Sequence, residues 1–124
     1  MNTIKQVIVM RRYYPDNNNP DTVRKLRLGK MIAQGAHASM AFLSNKVKSG
    51  LIGQGSELIF SDAEIYWLNG IFTKICVYVD TEEELLEIEK KAKEEHVTCF
   101  VITDNGQTEF NGVPTKTCLA LGPD

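Results

Sequence analysis

Four short runs of β-branched and aromatic residues, separated by longer amphipathic stretches, constrain the fold of this chain more than any other feature. They are Lys5–Met10 (KQVIVM), Lys74–Asp80 (KICVYVD), Thr98–Thr103 (TCFVIT) and Thr117–Leu121 (TCLAL). Each is short and bounded by charge or turn residues, as strands are. The first is apolar almost without break, which suits a strand buried on both faces. Between them the period changes. Leu28–Ser49 reads as one helix ended by Gly50. Ser61–Asn69 opens with Ser61 and Glu64 in capping-box spacing and reads as a short helix, with Ile65 and Leu68 inward and Tyr66 and Trp67 as packing aromatics. Glu82–His96 follows a second capping box, Thr81 and Glu84, and carries a narrow inward stripe of Leu85, Ile88 and Ala92. The order βααβαββ places the chain in the α/β class. The first three strands can run parallel through helical crossovers. The short link into the last makes that strand antiparallel.

The rest of the chain is punctuation. Asp16–Pro20 (DNNNP) is turn chemistry, so Tyr14 to about Val23 reads as a loop. Gly50, Gly53 and Gly55 follow a helix and lack the Gly-Lys-Ser/Thr ending of a phosphate loop, so they read as a connector. Length of 124 residues fits one domain spanning 1–124. No apolar leader or membrane-length run is present, so a soluble, cytoplasmic protein without a membrane partner is expected. Cys76, Cys99 and Cys118 are widely spaced and set in strand-like runs. They read as buried free thiols, with no metal site.

A net charge of −2 conceals a segregation. Residues 1–50 hold nine Lys and Arg against two Asp, a balance of +7; residues 51–124 hold five Lys against fourteen Asp and Glu, a balance of −9. A mildly acidic protein with a basic N-terminal half can bind a polyanion locally. Arg11, Arg12, Arg24, Lys25 and Arg27 cluster after the first strand and before the first helix, where phosphates are commonly held.

Within that helix, Leu28–Met40 (LGKMIAQGAHASM) sets Lys30, Gln34 and His37 at i, i+4 and i+7 among glycine and alanine. A cation, an amide and an imidazole on one stripe are costly to bury and useful beside a cleft. Ligands of open α/β sheets collect beyond the carboxyl ends of the strands. The third strand delivers Asp104 and the turn before Thr108 to that edge, so Lys30, Gln34, Asp104 and Thr108 should converge there.

These residues carry a resemblance. KQVIVMR at Lys5–Arg11, GKMIAQGAHA at Gly29–Ala38, TKICVYVDTEEEL after Trp67, then ITDNGQTEF and a terminal ALGP resemble the type 2 peptidyl-tRNA hydrolases in order, over nearly the whole chain. Three departures stand out: a longer Tyr13–Val23 loop, Gly35 where a cysteine or another small residue is usual, and Gln107 at a place often held by arginine. The resemblance implies a three-layer α/β/α fold around a four-stranded mixed sheet, commonly in a homodimer. It implies hydrolysis of the ester between a peptide and the terminal ribose of tRNA, with no metal or organic cofactor.

The residues suit that reaction. Ester hydrolysis needs an oriented water and donors aimed at the developing oxyanion. Lys30 would supply charge to the oxyanion or the 3′-terminal phosphate, and Gln34 and Thr108 would hold the water or the carbonyl. Asp104 would orient or deprotonate the water; a carboxylate is a weak base, which favours orientation. His37 is a candidate general base or a structural histidine. The basic cluster would take the tRNA backbone. The alternatives are a non-catalytic RNA-binding domain of the same fold and a protein-interaction module using the acidic half.

Overall fold

Hydrophobic alternation sorts the main sheet into two faces, each covered by one helix. The computed structural model describes residues 4–16, 19, 21–49, 58–105 and 112–124. Its elements are β1 (Gln6–Arg11), β2 (Tyr14–Pro15), β3 (Val23–Arg24), α1 (Leu28–Ser49), α2 (Asp62–Asn69), β4 (Lys74–Val79), α3 (Glu82–Glu94), β5 (Cys99–Asp104) and β6 (Thr115–Leu121). The four-stranded sheet has the order β4-β1-β6-β5. β1 pairs parallel with β4, and β6 pairs antiparallel with both β1 and β5. The first three strands of the main sheet therefore share one direction, and the last lies between two of them.

Ile8, Cys118 and Ala120 meet Ala38 of α1 on one face, flanked by Met10 and Ile102. Val9 and Leu119 meet Leu85 of α3 on the other, flanked by Val7, Val79, Ile88 and Val101. Three layers result, α/β/α, as expected. The capping residues act as the sequence indicates. Ser61 and Glu64 form a full capping box on α2, and the Thr81 side chain accepts from the Glu84 backbone N–H at the start of α3. No helix among the described residues is long and apolar enough to cross a membrane.

Four expectations need correction. The segment from Tyr14 to Val23 is not simply a loop: its ends pair as the antiparallel ribbon β2–β3. Tyr14 pins that ribbon inward, packing with Leu26 and Met31 and donating its hydroxyl to the Thr117 carbonyl at 3.3 Å. Second, α2 turns a different face inward. Ile65 and Leu68 are exposed, while Trp67 is buried and donates its indole N–H to the Thr73 carbonyl at 2.7 Å. Glu64 is buried beside it because Lys46 lies 3.2 Å from its carboxylate and it completes the capping box. Third, Tyr66 is exposed and does not pack in the core. Fourth, only Cys118 of the three free thiols is buried; Cys76 is exposed because β4 is the sheet's edge strand. The glycines at 50, 53 and 55 lie outside the described residues.

Candidate active site

At the carboxyl ends of the parallel strands, the first turn of α1 meets the end of β5. Lys30 Nζ lies 2.9 Å from Asp104 Oδ1, although the two are 74 residues apart in the chain. The side chains keep only 16% and 10% of their surface exposed. One helical turn on, Gln34 donates its Nε2 to the same carboxylate oxygen at 3.2 Å. The i, i+4 spacing of Lys30 and Gln34 places both donors on the α1 face toward β5 and β6.

Gln34 is itself oriented from below. It is 1% exposed, and its Oε1 accepts the Thr117 hydroxyl at 2.6 Å. Thr117 reaches it because β5 and β6 change register: Ile102 pairs with Cys118 while Thr103 pairs with Lys116, leaving Thr117 as the extra residue of a bulge. The Cys118 thiol donates to the Gln34 backbone carbonyl at 3.2 Å. Burial pushes that thiol up to about 11, with the Thr117 hydroxyl acting weakly the other way. The relay runs from the Thr117 hydroxyl to the Gln34 amide to the Asp104 carboxylate, with the Lys30 ammonium on the same oxygen. Sequence reasoning missed Thr117. It opens a strand like many threonines, and its role depends on a bulge and a pairing partner that local pattern does not encode.

The other candidates separate. His37 is exposed on α1 and stands outside this relay. Thr108 and Gln107 lie outside the described residues. Arg11 is buried: its Nε donates to the Tyr13 carbonyl at 2.8 Å, its NH1 donates to the Lys116 carbonyl at 3.2 Å, and its guanidinium lies over the Tyr14 ring. That side chain holds the β2–β3 ribbon against β6 rather than facing solvent. Arg12 is half-buried and paired with Asp80 at 2.7 Å. Arg24 lies on β3, and Lys25 and Arg27 stand exposed between β3 and α1. The acidic helix α3 lies on the opposite face of the sheet. The two halves of the sequence nevertheless meet in space, since Arg12, Lys30 and Lys46 pair with Asp80, Asp104 and Glu64.

The structure is thus a three-layer α/β domain in which an ammonium and an amide converge on one carboxylate oxygen at the strand ends. Comparison with known proteins specifies the family. The model of the family described as peptidyl-tRNA hydrolase PTH2 matches residues 4–124. A peptidyl-tRNA hydrolase of Methanocaldococcus jannaschii is 37% identical over 97 residues, 77% of this chain and 74% of its own. That of Methanopyrus kandleri is 35% identical over 101 residues, covering 81% and 76%. That of Nanoarchaeum equitans is 31% identical over 123 residues, covering 98% and 86%. The chain belongs to the PTH2 family of peptidyl-tRNA hydrolases.

Proposed function

We propose that this chain hydrolyses the ester joining a peptide to the terminal ribose of tRNA, and that the reaction takes place at Lys30 and Asp104. Family membership supports the activity. The observation that carries the site is the convergence of Lys30 Nζ and Gln34 Nε2 on Asp104 Oδ1 at 2.9 and 3.2 Å.

In this reading Asp104 accepts from the attacking water and orients its lone pair toward the ester carbonyl carbon. The carbon–oxygen bond to the ribose breaks and the ribose oxygen takes up a proton, releasing tRNA and the peptide acid. The Lys30 ammonium has three donors and meets the negative charge that develops on the carbonyl oxygen. Gln34 holds Asp104 and presents its second amide hydrogen to the water or the carbonyl. Thr108, outside the described residues, is kept as a second group for the water or the carbonyl. His37, exposed on α1, is given no step in this mechanism. The tRNA backbone runs along Arg24, Lys25 and Arg27, with Arg12 at its margin and Arg11 holding the strand beneath.

The same reading includes a cytoplasmic homodimer. An apolar groove of about 640 Å³ lies between α1 and the early part of β4, lined by Ile8, Met10, Ile32, Met40, Phe72 and Cys76. Ile32 and Met40 are 64% and 55% exposed, and an apolar patch of that kind is what a second copy covers.

Incubating peptidyl-tRNA with wild type, Lys30→Ala and Asp104→Asn tests the assignment. Cleavage by wild type, reduced at least 100-fold in both folded variants, is expected. Unchanged cleavage in both would remove the site assignment. Absence of cleavage by pure wild type would favour a non-catalytic RNA-binding domain.

A further inference from the structure

At the same carboxyl end of the sheet, toward the edge strand β4, Arg12 and two tyrosines form a ladder whose aromatic rings the hydrolytic reading does not use. The Arg12 guanidinium lies 4.1 Å from the centroid of the Tyr78 ring and 4.8 Å from that of Tyr13. Lys25 Nζ stands 5.4 Å from the Tyr13 ring. Asp80 fixes the arginine from the side, accepting from Nε at 2.8 Å and lying 2.7 Å from NH2. Tyr78 is nevertheless 60% exposed, on the edge strand β4. An aromatic ring with a cation over it and most of its surface open to water offers a stacking surface.

We propose that Tyr78, braced by Arg12 and Tyr13, is a stacking platform for a base in the unpaired 3′-terminal strand of the tRNA, upstream of the esterified nucleotide. This rests on the reading of the chain as a peptidyl-tRNA hydrolase. Three observations favour a nucleobase over other occupants. First, Asp80 already neutralises Arg12, so the ladder offers flat π surface rather than a free charge for phosphate. Second, Lys25 and Arg27 stand exposed on the neighbouring segment, where phosphates flanking a stacked base would lie. Third, the platform and the site share one face and the carboxyl end of the sheet, on its two edge strands. Tyr78 is in register with Met10, whose side chain packs on the α1 side, and Asp104 alternates with Ile102, which also packs there. With β4 and β5 three strand spacings apart and Tyr78 level with Ile102, two residues before Asp104, Tyr78 and Asp104 lie about 16 Å from one another. That distance is within the reach of a single strand whose terminal ribose sits at Lys30 and Asp104, at an earlier nucleotide.

The test is a binding cycle. Deacylated tRNA, and the same tRNA with abasic residues placed one at a time in its unpaired 3′ strand, are titrated against wild type, Tyr78→Ala, Tyr78→Leu and Tyr78→Phe. Stacking of one base on one aromatic ring sets the scale: Tyr78→Ala and Tyr78→Leu weaken intact tRNA by about 5- to 100-fold, and Tyr78→Phe restores most of it. One abasic position weakens wild type by a similar factor and has little further effect on Tyr78→Ala. Affinity of Tyr78→Ala within twofold of wild type, or losses that multiply at every abasic position, would overturn the platform. So would a change in association state, followed by sedimentation, that accounts for the weakened binding. Cleavage of peptidyl-tRNA by wild type is measured alongside. Base-dependent binding without cleavage sinks the hydrolase reading and leaves the platform standing; cleavage with base-independent binding sinks the platform alone.

Discussion

Replacing Thr117 with valine tests whether the relay beneath the site positions Asp104. The swap exchanges a hydroxyl for a methyl at a residue with no exposed surface. In the wild type, the hydroxyl donates to Gln34 Oε1 at 2.6 Å. A methyl cannot sit that close to an amide oxygen, so Gln34 must move or rotate, and its buried carbonyl loses its donor. An unsatisfied buried acceptor costs about 1–3 kcal/mol. For a domain of this size the melting temperature should fall by roughly 4 °C per kcal/mol, about 4–12 °C in all. The effect on the site is separable. If Gln34 turns, its Nε2 leaves Asp104 Oδ1, a bond to a charged group worth about 1.5–3 kcal/mol.

Under the proposed mechanism, kcat/KM for peptidyl-tRNA should therefore fall about 10- to 100-fold, measured well below the variant's melting temperature. Thr117→Ser retains the hydroxyl and should recover most of the activity. In a Gln34→Leu background, where there is no amide left to orient, Thr117→Val should have little further effect on kcat/KM. A Thr117→Val enzyme that is folded and within twofold of wild-type kcat/KM would refute the relay. A serine variant as slow as the valine variant would show that shape rather than the hydroxyl matters.

Two further predictions concern stability. An added Cβ at Gly35 would meet only the Met10 methyl at 3.7 Å, an ordinary contact, so Gly35→Ala should stabilise α1 by about 0.5–1 kcal/mol in urea denaturation; a destabilised variant would count against that packing. Cys118 holds its proton up to about pH 11 in the folded protein and up to about 8.5 when unfolded, so the folded state binds more protons in between. Stability attributable to this thiol is complete below about pH 8.5 and should be lost as pH rises toward 11, by about 3 kcal/mol. The stability difference between wild type and Cys118→Ala should shrink over that window, and parallel pH curves for the two proteins would refute it.

What could be read in advance followed from how local each signal is. The bounds of α1 were legible because the helical period runs from Leu28 and stops at Gly50. Lys30, Gln34 and Asp104 were legible as a group because helix spacing and the strand-end rule each place residues without knowledge of strand order. The β2–β3 ribbon was not, since two-residue strands carry no period and Tyr14 is held by a carbonyl 103 residues away. The exposure of Cys76 was hidden because an apolar run does not announce whether its strand is central or at an edge. The inward face of α2 was misjudged for another reason. A helix of eight residues makes barely two turns, and burial of Glu64 depends on Lys46 from a different helix.

The ion pair at the centre of the site is a poor stabiliser on its own. Removing an ammonium and a carboxylate from water costs several kcal/mol per ion, and their attraction offsets this only when geometry is good and remaining hydrogen-bonding capacity is met. Here that capacity is met from below: Gln34 donates to Asp104, Thr117 donates to Gln34, and every buried side-chain nitrogen and oxygen among the described residues has a partner. The polar cluster is thereby made tolerable rather than strongly stabilising. Its physical consequence is a cation already stripped of most of its water and fixed in direction by the carboxylate 2.9 Å away. An oxyanion forming within reach of such a cation gains stabilisation without first reorganising solvent. In the proposed reaction, the desolvation that makes the Lys30–Asp104 pair expensive to fold is therefore the same desolvation that makes it effective. Thr117, which touches neither member of the pair, matters because it holds the amide that keeps the carboxylate in place.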